Sequence, residues 1–83
     1  MPKKIYFVVN PRSANGRTGK NWAEIQLAVQ RQLGPVGCGM TQGPQDATQL
    51  TRQALEAGYE IVVAVGGDGT VNEVLNGFFA EDG

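Results

Sequence analysis

Two uninterrupted apolar runs, Ile5-Tyr6-Phe7-Val8-Val9 and Ile61-Val62-Val63-Ala64-Val65, constrain this chain more than any other feature. Both are built from β-branched, aromatic and small apolar residues, and neither alternates with polar ones. A strand with one wet face alternates, whereas a strand covered on both faces does not. The pair predicts strands of a parallel sheet buried between layers of helix.

The intervening sequence supplies those helices. Trp22, Ile25, Val29 and Leu33 recur at helical spacing, Asn21 and Glu24 have the separation of a capping box, and Gly34-Pro35 ends the pattern. Ala47, Leu50, Ala54 and Leu55 make a second stripe, entered through Gly43-Pro44-Gln45-Asp46 and closed by Gly58. Residues 36–41 are the strand between them, weakened by Gly37 and Gly39. A third helix is expected to start near Thr70 and run through Val74, Leu75 and Phe78. The order β-α-β-α-β-α implies right-handed crossovers and a three-layer α/β fold. Three strands are half of a usual doubly wound sheet, and the chain stops at Ala80-Glu81-Asp82-Gly83, directly after a helix. It reads as the front part of a larger protein.

Size and charge narrow the function. At 83 residues there is room for one small domain. The net charge of −1 makes nucleic acid a poor partner, because sequence-independent binding needs Lys and Arg to neutralise phosphates. The total hides an asymmetry: residues 1–23 carry five bases and no acid, and residues 53–83 carry six acids and no base. One cysteine, Cys38, and no histidine exclude an internal disulfide and the common zinc sites. No apolar run approaches the ~20 residues of a membrane span. The expectation is a soluble, cytoplasmic protein.

Ligands of open parallel sheets bind beyond the carboxyl ends of the strands. Two unusual segments fall there, residues 10–20 after the first strand and Gly66-Gly67-Asp68-Gly69-Thr70-Val71-Asn72-Glu73 after the third. Three glycines in four positions let a ligand approach the main chain, and the helix that follows offers free N–H groups to an anion such as phosphate. A capping box from Thr70 to Glu73 and an Asx turn at Asp68 would account for those residues structurally, but they do not require three glycines. A carboxylate beside phosphates is repulsive unless a cation intervenes or it handles a proton; Mg²⁺ with a nucleoside triphosphate is the natural candidate partner of Asp68. The P-loop pattern fails at Ala14 and Asn21, and the dinucleotide fingerprint fails at Asn72.

Gly66-Gly67-Asp68-Gly69-Thr70, with Asn72-Glu73-Val74 and Asn76-Gly77, resembles the diacylglycerol kinase catalytic domain family, which includes bacterial lipid kinases and sphingosine kinases. Asn10-Pro11, Ser13, Gly16 and Gly19 resemble its other N-terminal motif, with Ala14 standing where many members have glycine. GGDG alone is shared with NAD kinases and phosphofructokinases, whose fold is the same. The resemblance implies ATP held by the 66–70 loop, with Asn10 and Thr41 at strand ends and Val71, Asn72 and Glu73 close to the nucleotide. Asp68 takes an indirect Mg²⁺ or phosphate-transfer role. The resemblance places the general base, further metal ligands and a β-rich lipid-binding domain after Gly83, so the isolated chain would be inactive. The substrate would be a diacylglycerol-like or sphingoid lipid, reached by transient contact with a membrane surface. An NAD kinase or a non-catalytic nucleotide-binding module are the alternatives.

Other residues carry two readings. Arg12, Arg17 and Lys20 either contact phosphate or form a solvated basic loop. Trp22, Phe78 and Phe79 read as core or interface, and Cys38 as a small buried residue. An outer strand and Phe78-Phe79 left uncovered would favour aggregation.

Overall fold

The computed structural model describes residues 4–79. The expected chain end at 80–83, with Gly83 its last residue, lies outside the described residues, as does the general base expected beyond Gly83. Three strands, β1 (Ile5–Val9), β2 (Gly37–Met40) and β3 (Ile61–Val65), alternate with α1 (Arg17–Leu33), α2 (Asp46–Glu56) and α3 (Asp68–Phe79). All pairings are parallel and the strand order is β2-β1-β3. From β1 the chain moves one way to β2, then back across to β3. Crossovers of one hand therefore place α1 and α2 on opposite faces of the sheet. Among the described residues no helix is long and apolar enough to cross a membrane.

The two faces explain the missing alternation in the strands. Phe7 and Val9 pack with Trp22 of α1, joined by Ile5, Val63 and Val65. Val8 packs with Ala47 of α2 and Val74 of α3, joined by Tyr6, Val62 and Ala64. Odd positions of β1 and β3 serve one core and even positions the other. Trp22 also donates from Nε1 to the Cys38 sulfur at 3.1 Å, which ties α1 to β2.

The glycines that weakened β2 as a strand have a packing reason. A Cβ on Gly37 would lie 2.5 Å from Tyr6 Cδ1, and one on Gly39 would collide with the Tyr6 hydroxyl. Tyr6 lies across this strand and meets Tyr59 edge-on, with ring centroids 5.1 Å apart. Burial, then Cys38 and Tyr59, push the Tyr6 hydroxyl pKa upward. Similarly, a Cβ on Gly77 would lie 2.6 Å from the Cβ of fully buried Thr51, so that glycine sets how closely α3 approaches α2.

Several boundaries differ from those expected. The first helix starts at Arg17, so Asn21 and Glu24 are exposed interior positions and form no capping box. The turn Ser13–Gly16 delivers the chain to α1 through left-handed Ala14, Asn15 and Gly16, and the helix has no side-chain cap. The third helix starts at Asp68, because the Thr70 and Val71 N–H groups both donate to the Gly67 carbonyl and close the first turn early. Thr70 is therefore buried in that turn and is not an N-cap. Strand β2 covers 37–40 of the expected 36–41, although the Thr41 N–H continues its ladder to Val9 O at 2.8 Å. Ile25, Leu33, Leu75 and Phe78, expected in the apolar stripes, are exposed.

Candidate functional site

Strand order reverses about β1, and the crevice of such a sheet opens where neighbouring strands lead in opposite directions. Asn10, Thr41 and Gly66 are the first residues beyond β1, β2 and β3. The Asn10 N–H donates to Val65 O and the Thr41 N–H to Val9 O, each at 2.8 Å. These bonds extend the ladder past the strands and fix both residues to the rigid sheet.

A cavity of about 260 Å³ opens between these ends. Six of the residues predicted for the site line it: Asn10, Thr41, Gly67, Gly69, Thr70 and Glu73. An adjoining hollow of about 440 Å³ shares Asn10 and Gly67 and adds Gly66, Ser13, Ala14 and Thr18. Asp68, Val71 and Asn72 are exposed and line neither. Arg12, Gln42, Gly43 and Pro44 complete the first cavity. Arg12 carries two readings in the sequence, Gly43 and Pro44 read there only as the approach to α2, and nothing there singles out Gln42. These last three follow a strand at its carboxyl end, and that position is the available signal.

The three loop glycines divide by cause. At Gly66 a Cβ would lie 2.5 Å from Thr70 Oγ1 and 3.1 Å from Asn10 Cβ, so packing demands glycine. At Gly67 and Gly69 a Cβ would meet nothing within 4 Å, and neither has a left-handed φ. Within a helix, as at Gly69, glycine is less favourable than alanine by roughly 0.5–1 kcal/mol, while Gly67 precedes α3 at a cap position that glycine tolerates. The fold of the chain does not need these two, yet both bare the backbone to the cavity at the α3 N-terminus. What they keep open is space for something outside the chain.

Hydrogen bonds hold the walls. Asn10 Oδ1 accepts from the Arg12 N–H at 3.0 Å, and the Asn10 carbonyl accepts from Ser13 Oγ at 2.9 Å. Asp46 Oδ2 accepts from the N–H groups of Gln42 and Gly43 at 2.7 and 3.1 Å, which folds the β2–α2 loop into the cavity wall. Glu73 Oε1 accepts from the Ala47 N–H at 3.3 Å, and the Glu73 carbonyl accepts from Thr48 Oγ1 at 2.8 Å. Glu73 thus locks α3 to the start of α2. Gly19 is a packing glycine, since a Cβ there would lie 2.9 Å from both Cβ and O of Pro11.

Among the described residues no group of three or more His, Cys, Asp or Glu could hold a metal ion by itself. A magnesium ion carried mainly by phosphate oxygens and water needs few protein carboxylates; Asp68, the exposed first residue of α3, lines neither cavity and can reach such an ion only through water. The cavity combines one guanidinium, helix-terminal N–H groups and bare backbone. Such a set suits a phosphorylated ligand.

Comparison with known proteins agrees in kind. A sequence model of the diacylglycerol kinase catalytic domain matches residues 4–82. The chain is 32% identical over 77 residues to a diacylglycerol kinase of Staphylococcus carnosus (strain TM300), covering 93% of this chain and 25% of that protein. A diacylglycerol kinase of Staphylococcus haemolyticus (strain JCSC1435) is also 32% identical, over 93% of this chain and 23% of its own. The crystal structure of a diacylglycerol kinase from Bacillus anthracis str. Sterne is similar with a TM-score of 0.76 and 27% identity, over 90% of this chain and 27% of that one. The chain spans about a quarter of the length of these relatives.

Proposed function

The chain belongs to the diacylglycerol kinase catalytic domain family, and from that premise we propose that it is the ATP-binding portion of a lipid kinase. The reaction is transfer of the ATP γ-phosphoryl group to a hydroxyl of a diacylglycerol-like or sphingoid lipid. The carrying observation is the pair Gly67 and Gly69, glycines that the fold does not require and that face the cavity.

Each residue then has a task. The backbone at Gly67 and Gly69 and the first N–H groups of α3 receive phosphate oxygens, and Arg12 adds positive charge across the cavity. Gly66 and Thr70 pack against each other and shape the loop. Asn10 and Thr41, pinned by the sheet, flank the nucleotide, with Val71, Asn72 and Glu73 behind the loop. Magnesium, when bound, neutralises phosphate charge, and Asp68 would hold it through water. Phosphoryl transfer depends mainly on positioning and charge neutralisation, which these residues supply. Binding of the lipid and acceptance of its proton are assigned to the additional length of the relatives. The 83-residue chain alone therefore binds nucleotide without turnover. Support for the NAD kinase alternative falls away, because the family match lies with diacylglycerol kinases.

The test pairs two readouts, stability and binding. Gly69→Ala leaves the fold intact or slightly more stable, by up to about 1 kcal/mol, because it removes glycine's backbone entropy without a clash. Gly67→Ala, at the cap of α3, keeps the fold at a cost of no more than about 1 kcal/mol. The same variants weaken Mg²⁺–ATP binding at least ten-fold in a ¹H–¹⁵N titration. In the unsubstituted chain the shifts centre on residues 66–73, Asn10 and Thr41. Variants that bind ATP as tightly as the original chain would remove the reading.

A further inference from the structure

Glu73 is the only acid among the described residues that line the first cavity, and two consecutive residues of α2 reach it. Its Oε1 accepts from the Ala47 N–H at 3.3 Å, while its main-chain carbonyl accepts from Thr48 Oγ1 at 2.8 Å. The first distance is longer than an ordinary N–H···O bond, and the second is that of a good O–H···O bond. The carboxylate is therefore aimed chiefly by where its backbone stands, and the Thr48 hydroxyl holds that backbone.

The Thr48 bond lies one turn from a close approach of α2 and α3. A Cβ on Gly77 would lie 2.6 Å from Thr51 Cβ and 2.9 Å from the Thr48 carbonyl oxygen. Gly77 is one turn beyond Glu73, the position whose N–H meets the carbonyl of residue 73 in a regular α-helix. Thr51, one turn further along α2 and fully buried, packs into this contact but spends its hydroxyl on the Ala47 carbonyl of its own helix, at 2.8 Å. The hydroxyl that crosses from α2 to α3 is that of Thr48. This residue lines neither cavity, so it touches no ligand held there.

We propose that Thr48 is a positioning residue for nucleotide binding, acting through Glu73 across the α2–α3 contact. Its hydroxyl sets the register of α3 against α2, and that register sets where the Glu73 carboxylate stands in the cavity. An ionised carboxylate only accepts hydrogen bonds, so it serves the hydroxyls and amine of a nucleoside and not its phosphates. Misplacing it weakens binding at the nucleoside end. The identity of the ligand rests on the ATP-binding reading, and the geometry rests on the two hydrogen bonds.

Titration of the 83-residue chain with Mg²⁺–ATP, followed in ¹H–¹⁵N spectra, tests this. Thr48→Val keeps the side-chain shape, removes the donor and weakens binding about five-fold, on the scale of one ordinary hydrogen bond. Thr48→Ser keeps the donor and binds within about two-fold of the original chain. Thr48→Ala, which also lacks the donor, carries the same arms if circular dichroism shows that Thr48→Val has unfolded the chain. The substitution is then repeated in a Glu73→Ala background, where the main-chain acceptor persists and the carboxylate does not. There it lowers the urea midpoint as much as before but changes ATP binding less than about two-fold, the non-additivity of residues that act through one another. A purely structural role would carry the full loss of binding into that background and overturn the proposal. So would Thr48→Val binding as tightly as the original chain, Thr48→Ser binding as weakly as Thr48→Val, or Glu73→Ala without effect on binding. An unsubstituted chain that ignores Mg²⁺–ATP overturns the ATP-binding reading and this inference with it, whereas each of the other outcomes overturns the inference alone.

Discussion

At the scale of single residues, the loop before α1 holds two L-residues in an unfavourable backbone region. Ala14 has φ 54° and Asn15 φ 58°, followed by Gly16 at φ 88°. Asparagine tolerates the left-handed region and glycine is at home there, but alanine loses roughly 1–2 kcal/mol. Ala14→Gly should relieve that cost while adding about 0.4–1 kcal/mol of unfolded-state entropy. The net expectation is stabilisation by about 0.5–1 kcal/mol, seen as a higher urea midpoint with an unchanged slope. A lower midpoint would contradict a left-handed Ala14. The resemblance to kinases with glycine here singles out this position, but only the backbone torsion says why glycine would be preferred. The 66–70 loop follows the same pattern. Three glycines are visible in the sequence, yet that Gly66 serves Thr70 and Asn10 while Gly67 and Gly69 serve the cavity follows only from where a Cβ would fall.

At the scale of elements, the two apolar strands and the entry to α2 were legible, and the starts of α1 and α3 were not. Ile5–Val9 and Ile61–Val65 are strands at the bounds their apolar runs mark. The expected capping box, Asn21 with Glu24, and the one weighed against a ligand site, Thr70 with Glu73, have the right spacing, yet neither caps a helix. In each case a backbone turn upstream closes the first helical turn, and backbone hydrogen bonds leave no residue pattern to read. Glu73 is spent instead across the α2–α3 contact. The carboxylate that orders a helix approach is Asp46, which the sequence showed only as part of a Gly-Pro turn. Asp46→Ala removes an acceptor from two backbone N–H groups and a negative charge from the α2 N-terminus. It should cost about 1–2 kcal/mol in urea unfolding. It should also weaken Mg²⁺–ATP binding, because Gln42 and Gly43 leave the cavity wall. Asp46→Asn, which keeps the acceptor, should recover most of the stability; a variant as weak as alanine would show that the charge, and not the hydrogen bonds, holds the loop.

At the scale of the whole molecule, the Cα trace is a plate of 37 × 36 × 16 Å with polar and apolar edges. Among the described residues strand β3 pairs only with β1, and its neighbour α3 exposes Val71 at 42%, Leu75 at 48%, Phe78 at 38% and Phe79 at 68%. Val71, Leu75 and Phe78 each lie one residue beyond Thr70, Val74 and Gly77, the residues that α3 buries, and Phe79 lies one further. The helix is therefore apolar over a wider arc than it packs, and the sequence could not tell which part of the arc meets the core. An exposed apolar stripe beside an unpaired strand edge favours association. The acids of α2 and α3 oppose it, and that repulsion is screened by salt while apolar association is not. Sedimentation velocity should show a monomer at low protein concentration and low salt, shifting to larger species as both rise. Leu75→Gln with Phe79→Gln should abolish the shift and leave the unfolding free energy in urea within ~0.5 kcal/mol for Phe79 and somewhat lower for half-exposed Leu75. Salt that dissociates the larger species would mean that charge across the plate, α1 of one molecule against α2 and α3 of the next, drives assembly in place of the α3 stripe.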